Sequence, residues 1–383
     1  MRIASISLHW PRTKDSGVGK KLTRQIETWQ AGGHEARLFM HTSRPVSLSG
    51  ASTSLSTSLV PAEVIPYDSA GTVSTELARS RAARQLVEAV RAWRPDIIYL
   101  RLAMYVYPIH RLAEIAPLVG EANTNDLTQH EGLGKVYALY NRSTRGLLLR
   151  RLDGLVTVSR ELAEAPAFTR YRKPTRVIAN GIDLENFEPL PAPSNLTPRL
   201  AFIANPGYLW HGVDKLVTLA RLIPDVHIDI IGYDTVPVGR DFVPSSQPLP
   251  ENLHLHGYLA ASEYKKILAN ADAAISSLAL HRIGLEEASP LKSRECLALG
   301  LPLVLAYTDT DLRGVEADFL LQIPNKEDNI RTHAGAIREF AYRMRGRRVQ
   351  RALIAPLDQK VKERQRLVFF EEMISSRRRD ACE

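Results

Sequence analysis

Apolar residues in this chain fall into short runs separated by amphipathic stretches. RIASISLH (2–9) opens as an apolar strand and a loop through WPRTKDSG follows. VGKKLTRQIETWQAGG (18–33) places Leu22, Ile26, Trp29 and Gln30 on one helical face, and Gly32-Gly33 ends that helix. HEARLFMHT (34–42) predicts a second strand, and the Ser/Thr-rich residues 43–57 a loop. A long helix is expected over 72–93, stopped by Arg94-Pro95, because the residue before a proline is steered out of the helical region. DIIYLR (96–101) and LVGEAN (118–123) read as strands, 134–151 as a helix, and GLVTVS (154–159) and TRVIAN (175–180) as strands again.

EPLPAPSNLTP (188–198) carries four prolines in eleven residues and reads as a linker. After it the alternation restarts. RLAFIAN (199–205), VHIDIIG (226–232), NLHLHG (252–257), AAISSL (273–278) and LPLVLA (301–306) are expected strands; 212–223, 262–270 and 290–299 are expected helices. Strand–helix alternation builds parallel sheets from βαβ units, and no period of 20–50 residues interrupts it. The expected fold class is α/β, with two facing Rossmann-like domains, parallel sheets and an interdomain cleft. The N-terminal domain spans 1–187 and the C-terminal one 199–355. Residues 356–383 would form a helix near 358–375 that packs back on the first domain, ending in the frayed basic tail SSRRRDACE. Ligands of such sheets sit beyond the carboxyl ends of the strands, which makes the cleft the expected site.

Composition narrows the class. At 383 residues the chain exceeds one domain of ~150 residues. It is 44% hydrophobic and 24% charged, as a globular protein is. A net charge of +8 favours anionic partners such as phosphates, nucleic acid or acidic lipid heads, and is equally compatible with a solvated basic surface. The two cysteines, Cys296 and Cys382, sit in no CxxC or zinc spacing, which argues against a disulfide framework and for a reducing compartment. The N-terminal apolar run is too short for a signal peptide and no run of ~20 apolar residues exists to span a membrane. A cytoplasmic location is expected, with peripheral contact to the inner face of the plasma membrane as the sharper reading of the basic segments. No aromatic–basic interleaving or helix-turn-helix pattern is present, so nucleic acid is not an expected partner.

EEASPLKSREC (286–296) holds the densest candidate chemistry. Ser289 is a good N-cap and Pro290 suits the first helical position. The free N–H groups of Leu291 and Lys292 would then leave the helix end as an anion site, to which Lys292 adds a formal charge. Glu295 lies about 7 Å further along the axis at ~1.5 Å per residue, and Glu287 lies on the other side of the cap. Carboxylates accept hydroxyl pairs, so a sugar, a diphosphate and a ribose in a row match this order. An ordinary capped helix with surface glutamates fits the stretch as well.

Glu287-x7-Glu295 followed by LALGLPLVLA resembles the signature of retaining glycosyltransferases of the GT-B fold, glycosyltransferase family 4 in particular. DSGVGKKLTRQIETWQAGGHEARLF, RRLDGLVTVSREL, RVIANGIDLENFEP and NPGYLWHGVDKLVTLARLIPDVHIDIIG resemble further segments of that family, in its order. The resemblance implies a hexosyltransferase-type enzyme using a nucleotide diphosphate sugar, with a glycan or lipid-linked acceptor and no metal or other cofactor. It gives Glu295 the ribose hydroxyls, Glu287 the donor-sugar hydroxyls, and the backbone amides of Leu291 and Lys292 the sugar and diphosphate. Gly17, with Val18, would close on the diphosphate, where lack of a Cβ allows close approach. Three positions depart from the pattern. Asn205 and His211 stand where the family often has a cationic pair on the phosphate, which shifts weight to Lys292. Asn123, with Asp126 three residues on, stands where many relatives have a histidine near the reacting sugar, and with Glu287 these two are the catalytic residues the resemblance implies.

Asp309-Thr310-Asp311 resembles the metal motif of a different glycosyltransferase fold; after a strand end it reads first as an Asx turn. In LYNRSTRGLLLRRLDG (139–154), Arg142, Arg145 and Arg150 are candidates for one basic helix face, solvated or membrane-facing. The expected reaction is retaining transfer by front-face displacement in cell-surface polysaccharide or glycoconjugate synthesis. Its rivals are another GT-B enzyme such as a sugar-nucleotide epimerase, and a non-catalytic basic nucleotide- or nucleic-acid-binding protein.

Overall fold

The computed structural model describes residues 1–8, 17–44, 60–68, 71–131, 134–238, 243–244 and 248–380. Most of the expected loops at 10–17 and 43–57 lie outside these residues. The chain forms two units, Met1–Ala179 with Gln359–Glu383, and Asn180–Asp358. It therefore changes unit at 179/180 and 358/359 rather than across 188–198 and at 355/356. The proline-rich stretch is not a free linker. Leu190 N donates to Leu299 O (2.9 Å), and Asn195 Nδ2 reaches Asp272 (2.9 Å), both within the second unit.

Among the described residues the first unit holds β1 (Arg2–Ser7), β2 (Glu35–Arg44), β3 (Ala62–Asp68), β4 (Ile97–Arg101), β5 (Leu118–Ala122), β6 (Gly154–Thr157) and β7 (Thr175–Val177). They form one parallel sheet in the order β3-β2-β1-β4-β5-β6-β7. Period-two alternation sends β4 to both faces. Ile97 and Tyr99 join Trp29 and Phe370 on one side, while Ile98 and Leu100 join Phe39 and Leu86 on the other. Two faces covered by helices explain why these strands read as continuous apolar runs. The helices are α1 (Gly17–Ala31), α2 (Thr72–Trp93), α3 (Asp126–Glu131), α4 (Lys135–Leu149), α5 (Arg160–Glu164) and α6 (Pro166–Thr169).

The second unit holds β8 (Arg199–Ile203), β9 (His227–Ile231), the antiparallel pair β10 (Pro237–Val238) and β11 (Val243–Pro244), β12 (Leu253–Leu255), β13 (Ala273–Ile275), β14 (Glu287–Ala288), β15 (Leu303–Leu305), β16 (Thr308–Asp309) and β17 (Leu320–Gln322). Its main sheet is parallel, in the order β12-β9-β8-β13-β15-β17. Helices α7 (Val213–Leu222), α8 (Ala261–Asn270), α9 (Leu291–Ala298) and α10 (Asn329–Met344) accompany it. The strand order reverses between β8 and β13, and crevices beyond such a switch point bind ligands. Gly232 holds this end together. With φ at 102°, a Cβ there would lie 1.9 Å from the Ala204 carbonyl oxygen, beside the loop that leaves β8.

The last helix, α11 (Gln359–Asp380), belongs to the first unit and buries Phe369, Phe370 and Met373 with Ile26 and Trp29. Its end is not the frayed tail expected. Arg377 donates to Ala116 O (2.8 Å) and Asp153 (3.1 Å), so the basic run is helical through residue 380. The basic face expected on α4 is also broken up. Arg145 is buried, donating to both oxygens of Asp126 at 2.6 Å, while Arg142 is exposed and pairs with Glu131.

Candidate active site

In the second unit the site begins where β8 and β13 end. Asn205 leads the loop out of β8, and His211 closes it just before Gly212, whose φ of 69° starts α7. His211 Nδ1 lies 3.2 Å from Ser277 Oγ, at the end of β13. The neighbouring Ser276 Oγ lies 2.6 Å from Ser293 Oγ and 2.8 Å from the Tyr307 hydroxyl, which fixes the first turn of α9 to the strand ends. Glu287 is set by the two-residue pairing of β14 with β16. It is 3% exposed, and its Oε2 accepts from Arg313 at 3.0 Å.

The helix start differs from expectation by one residue. Pro290 is the N-cap, with φ −66° and ψ 134°, and among the described residues no side chain caps the turn. Ser289 faces inward instead: its Oγ accepts from Asn180 N (3.1 Å) and its carbonyl accepts from Asn180 Nδ2 (2.9 Å). Among the described residues the N–H groups of the first turn of α9 have no side-chain acceptor, the condition for anion binding at a helix N-terminus.

Lys292 and Glu295 flank that turn. Lys292 Nζ donates to Asn205 Oδ1 at 3.1 Å, so two of the positions singled out separately in the sequence meet. Asn205 brings no charge but holds the ammonium. Burial pulls the Lys292 pKa down from 10.5 to about 8, with Glu295 opposing the shift. Burial, with Lys292 nearby, takes His211 down to about 4, so its ring is neutral at pH 7 and offers a neutral N–H. Glu295 Oε1 accepts from the Tyr264 hydroxyl at 2.6 Å.

Arg294, inside the Glu-x7-Glu stretch, is 0% exposed. It donates to Asp309 (2.7 Å), Asp311 (3.0 Å) and Asn180 O (3.1 Å). Asp309 Oδ1 also accepts from the backbone N–H of Asp311 (3.0 Å), the expected Asx turn. Both aspartates are thus committed to Arg294 and hold α9 in place. Sequence reading missed Arg294, Arg313 and Tyr264. Only Arg294 carried a signal: Leu297 and Ala298 follow it at i+3 and i+4, on the same helix face.

In the first unit Gly17 is the exposed first residue of α1 and Val18 is half-buried behind it. Asn123 follows the end of β5. Its Oδ1 accepts from Lys21 Nζ (3.0 Å), and its Nδ2 donates to Glu121 Oε2 (3.0 Å). Asp126 opens α3, where Arg145 takes both its oxygens and Asn141 donates at 2.8 Å. A carboxylate so engaged is an internal anchor for α4, and the catalytic expectation for it is carried no further. Lys21 and Glu121, both buried, were not anticipated: they lie far apart in sequence.

Two Rossmann-like units of this kind are the architecture of the GT-B fold, and solved glycosyltransferase structures with this fold align along nearly the whole chain. Sucrose-phosphate synthase from Thermosynechococcus elongatus aligns at TM-score 0.62 and 13% identity, covering 98% of this chain and 99% of its own. The Anabaena protein HepE, in complex with UDP and glucose, aligns at 0.62 and 17%, covering 98% and 100%. The lipopolysaccharide outer core galactosyltransferase WaaB aligns at 0.64 and 11%, again covering 98% and 100%. At such identities the likeness is one of fold. Residues 16–181 match the model described as the glycosyl transferase 4-like domain. No curated protein matches the chain in sequence.

Proposed function

We propose that this protein moves a hexose, with retention of configuration, from a nucleotide diphosphate sugar to a hydroxyl of a glycan, lipid-linked or small-molecule acceptor in cell-surface polysaccharide or glycoconjugate synthesis. The uncapped first turn of α9, with Lys292 beside it and a glutamate on either side, carries this reading. Leu291 and Lys292 N–H groups take the diphosphate, with Gly17 and Val18 of the first unit as further diphosphate contacts. Glu295 takes the ribose hydroxyls and Glu287 the sugar. Asn123 supplies a neutral hydrogen bond to a donor hydroxyl.

In the proposed step the bond from the anomeric carbon to the phosphate oxygen breaks as the acceptor oxygen attacks the same face. The acceptor proton passes to the departing diphosphate, so no strong protein base is required. Positive charge on the leaving group supplies the stabilisation, and Lys292 with the α9 turn provides it without a metal. HepE, whose structure holds UDP and glucose, makes uridine donors the first to try.

A thermal-shift panel of UDP, GDP, ADP, dTDP and their sugars tests the reading. One nucleotide should raise the melting temperature, and Glu295→Ala should abolish that rise. A retained shift would remove Glu295 from the ribose role. Transfer is then assayed with the selected donor; isomerised free donor as the sole product would replace transfer with epimerisation.

The lipid-linked class of acceptor draws on α4. Val136 and Leu139 are 79% and 68% exposed there, beside Tyr137, Lys135 and Arg142. Among the described residues no helix is long and apolar enough to cross a membrane. Exposed apolar side chains beside a lysine suit the surface of an anionic bilayer. Co-sedimentation with phosphatidylglycerol vesicles should fall at least threefold in Val136→Asp/Leu139→Asp; unchanged binding would discard the membrane contact.

A further inference from the structure

Glu121 sits near the end of β5 with no solvent exposure. Its Oε1 accepts from Lys21 Nζ (2.8 Å), the Tyr99 hydroxyl (2.8 Å) and Arg366 Nη2 (3.4 Å). Arg101 approaches the other oxygen at 3.6 Å. Arg366 is itself anchored to Tyr99 (3.0 Å) and Glu363 (2.5 Å), all buried together. This cluster ties α1, β4, β5 and α11 to one carboxylate.

Asn123 and Arg101 are the partly exposed members of the cluster. An ammonium can only donate and a carboxylate can only accept. The amide between them therefore has a single allowed orientation, Oδ1 toward Lys21 and Nδ2 toward Glu121. One N–H and one lone pair of that amide are left over, and their direction is fixed from both ends.

We propose that Lys21 is a positioning residue for sugar transfer: clamped with Glu121 across the Asn123 amide, it aims the remaining Asn123 N–H at a hydroxyl of the donor sugar. The proposal rests on the role given to Asn123 above. Without Lys21 the amide is tethered at one end only. It then turns about its side-chain torsions, and the directed hydrogen bond is lost for part of the time. Positioning of this kind affects turnover more than ground-state binding, because it supports the reacting geometry.

The test uses the full chain and the donor selected by the thermal-shift panel, with kcat and KM measured for wild type, Lys21→Met, Asn123→Ala and the double variant. Lys21→Met should lower kcat about tenfold with KM within about twofold of wild type. Asn123→Ala should lower kcat at least as much, and the double variant should match Asn123→Ala alone within about twofold. If the two losses multiply, Lys21 acts on stability and the proposal fails; the same holds if Lys21→Met keeps full kcat. Should Lys21→Met not fold, Lys21→Gln replaces it, since its amide can still donate to Asn123 Oδ1. It should retain at least half of wild-type kcat, and a tenfold loss there would overturn the proposal. A second readout needs no turnover. In protein labelled with 15N-asparagine, the Asn123 side-chain amide, assigned by its loss in Asn123→Ala, should give two resolved signals in slow exchange with water. Lys21→Met should shift and speed the exchange of that pair; an unchanged pair would show that Lys21 does not hold the amide. No turnover by wild type would overturn the functional reading and this proposal with it, whereas turnover with multiplying losses overturns this proposal alone.

Discussion

Lys21 and Lys292 share one number and have opposite surroundings. Burial draws each pKa from 10.5 to about 8. Lys21, in the first unit, donates to a buried carboxylate at 2.8 Å within a cluster of Tyr99, Arg366 and Glu363. Lys292, in the second, donates to the neutral amide of Asn205, beside an uncapped helix turn. Desolvation of an ammonium must be offset by an anion. For Lys21 that anion is Glu121, inside the fold. For Lys292 the geometry leaves the place to a ligand. A depressed lysine pKa thus marks a site only when the counter-charge is missing from the protein's own hydrogen bonds.

The contrast breaks most sharply at Glu121. Glu121→Ala leaves Lys21 and Arg366 buried with one anion fewer, which should cost about 3–5 kcal/mol of stability in urea unfolding, the usual range for halving a buried pair. Next comes the pH dependence of donor binding. The free protein loses the Lys292 proton above about 8, while a bound diphosphate holds it on. Affinity should therefore be flat below pH 7 and weaken as pH rises through 8, by up to about tenfold per unit. Titration calorimetry in buffers of different ionisation enthalpy should show proton uptake on binding at pH 8.5, and Lys292→Met should remove it. Smallest of all should be the effect of Lys292→Met on stability without ligand. Removing a desolvated cation that has no carboxylate in hydrogen-bond contact should change the unfolding free energy by less than about 1 kcal/mol, in either direction.

Local signals decided how much of this was readable in the chain. The end of the helix expected over roughly 72–93 was legible because Arg94-Pro95 must stop it, and Arg94 takes the left-handed conformation with φ 53°. β3 escaped because Pro66 interrupts it; a proline is tolerated there because β3 is the sheet edge. β17 is likewise a short edge strand and was not anticipated. The two glutamates and Lys292 could be singled out because a helix start, a charge and a spacing are local facts. The one-residue shift of the cap was not local: Ser289 is drawn inward by Asn180, far earlier in the chain. Lys21 and Glu121 meet only after the sheet brings α1 beside β5, and nothing in KKLTRQ distinguishes the buried lysine from its exposed neighbour Lys20. Arg145 failed for the same reason, since its partner Asp126 lies in a different helix.

The central claim is that the α9 turn and Lys292 hold the donor's diphosphate. The most direct test is titration calorimetry at pH 7 with the nucleoside diphosphate that stabilises wild type most, repeated on Lys292→Ala. A charge-assisted contact worth about 1.5–3 kcal/mol predicts a loss of affinity of roughly tenfold to a hundredfold, with an unchanged melting temperature in the absence of ligand. A loss below about threefold would contradict the account and return the cluster at 286–296 to an ordinary charged helix start.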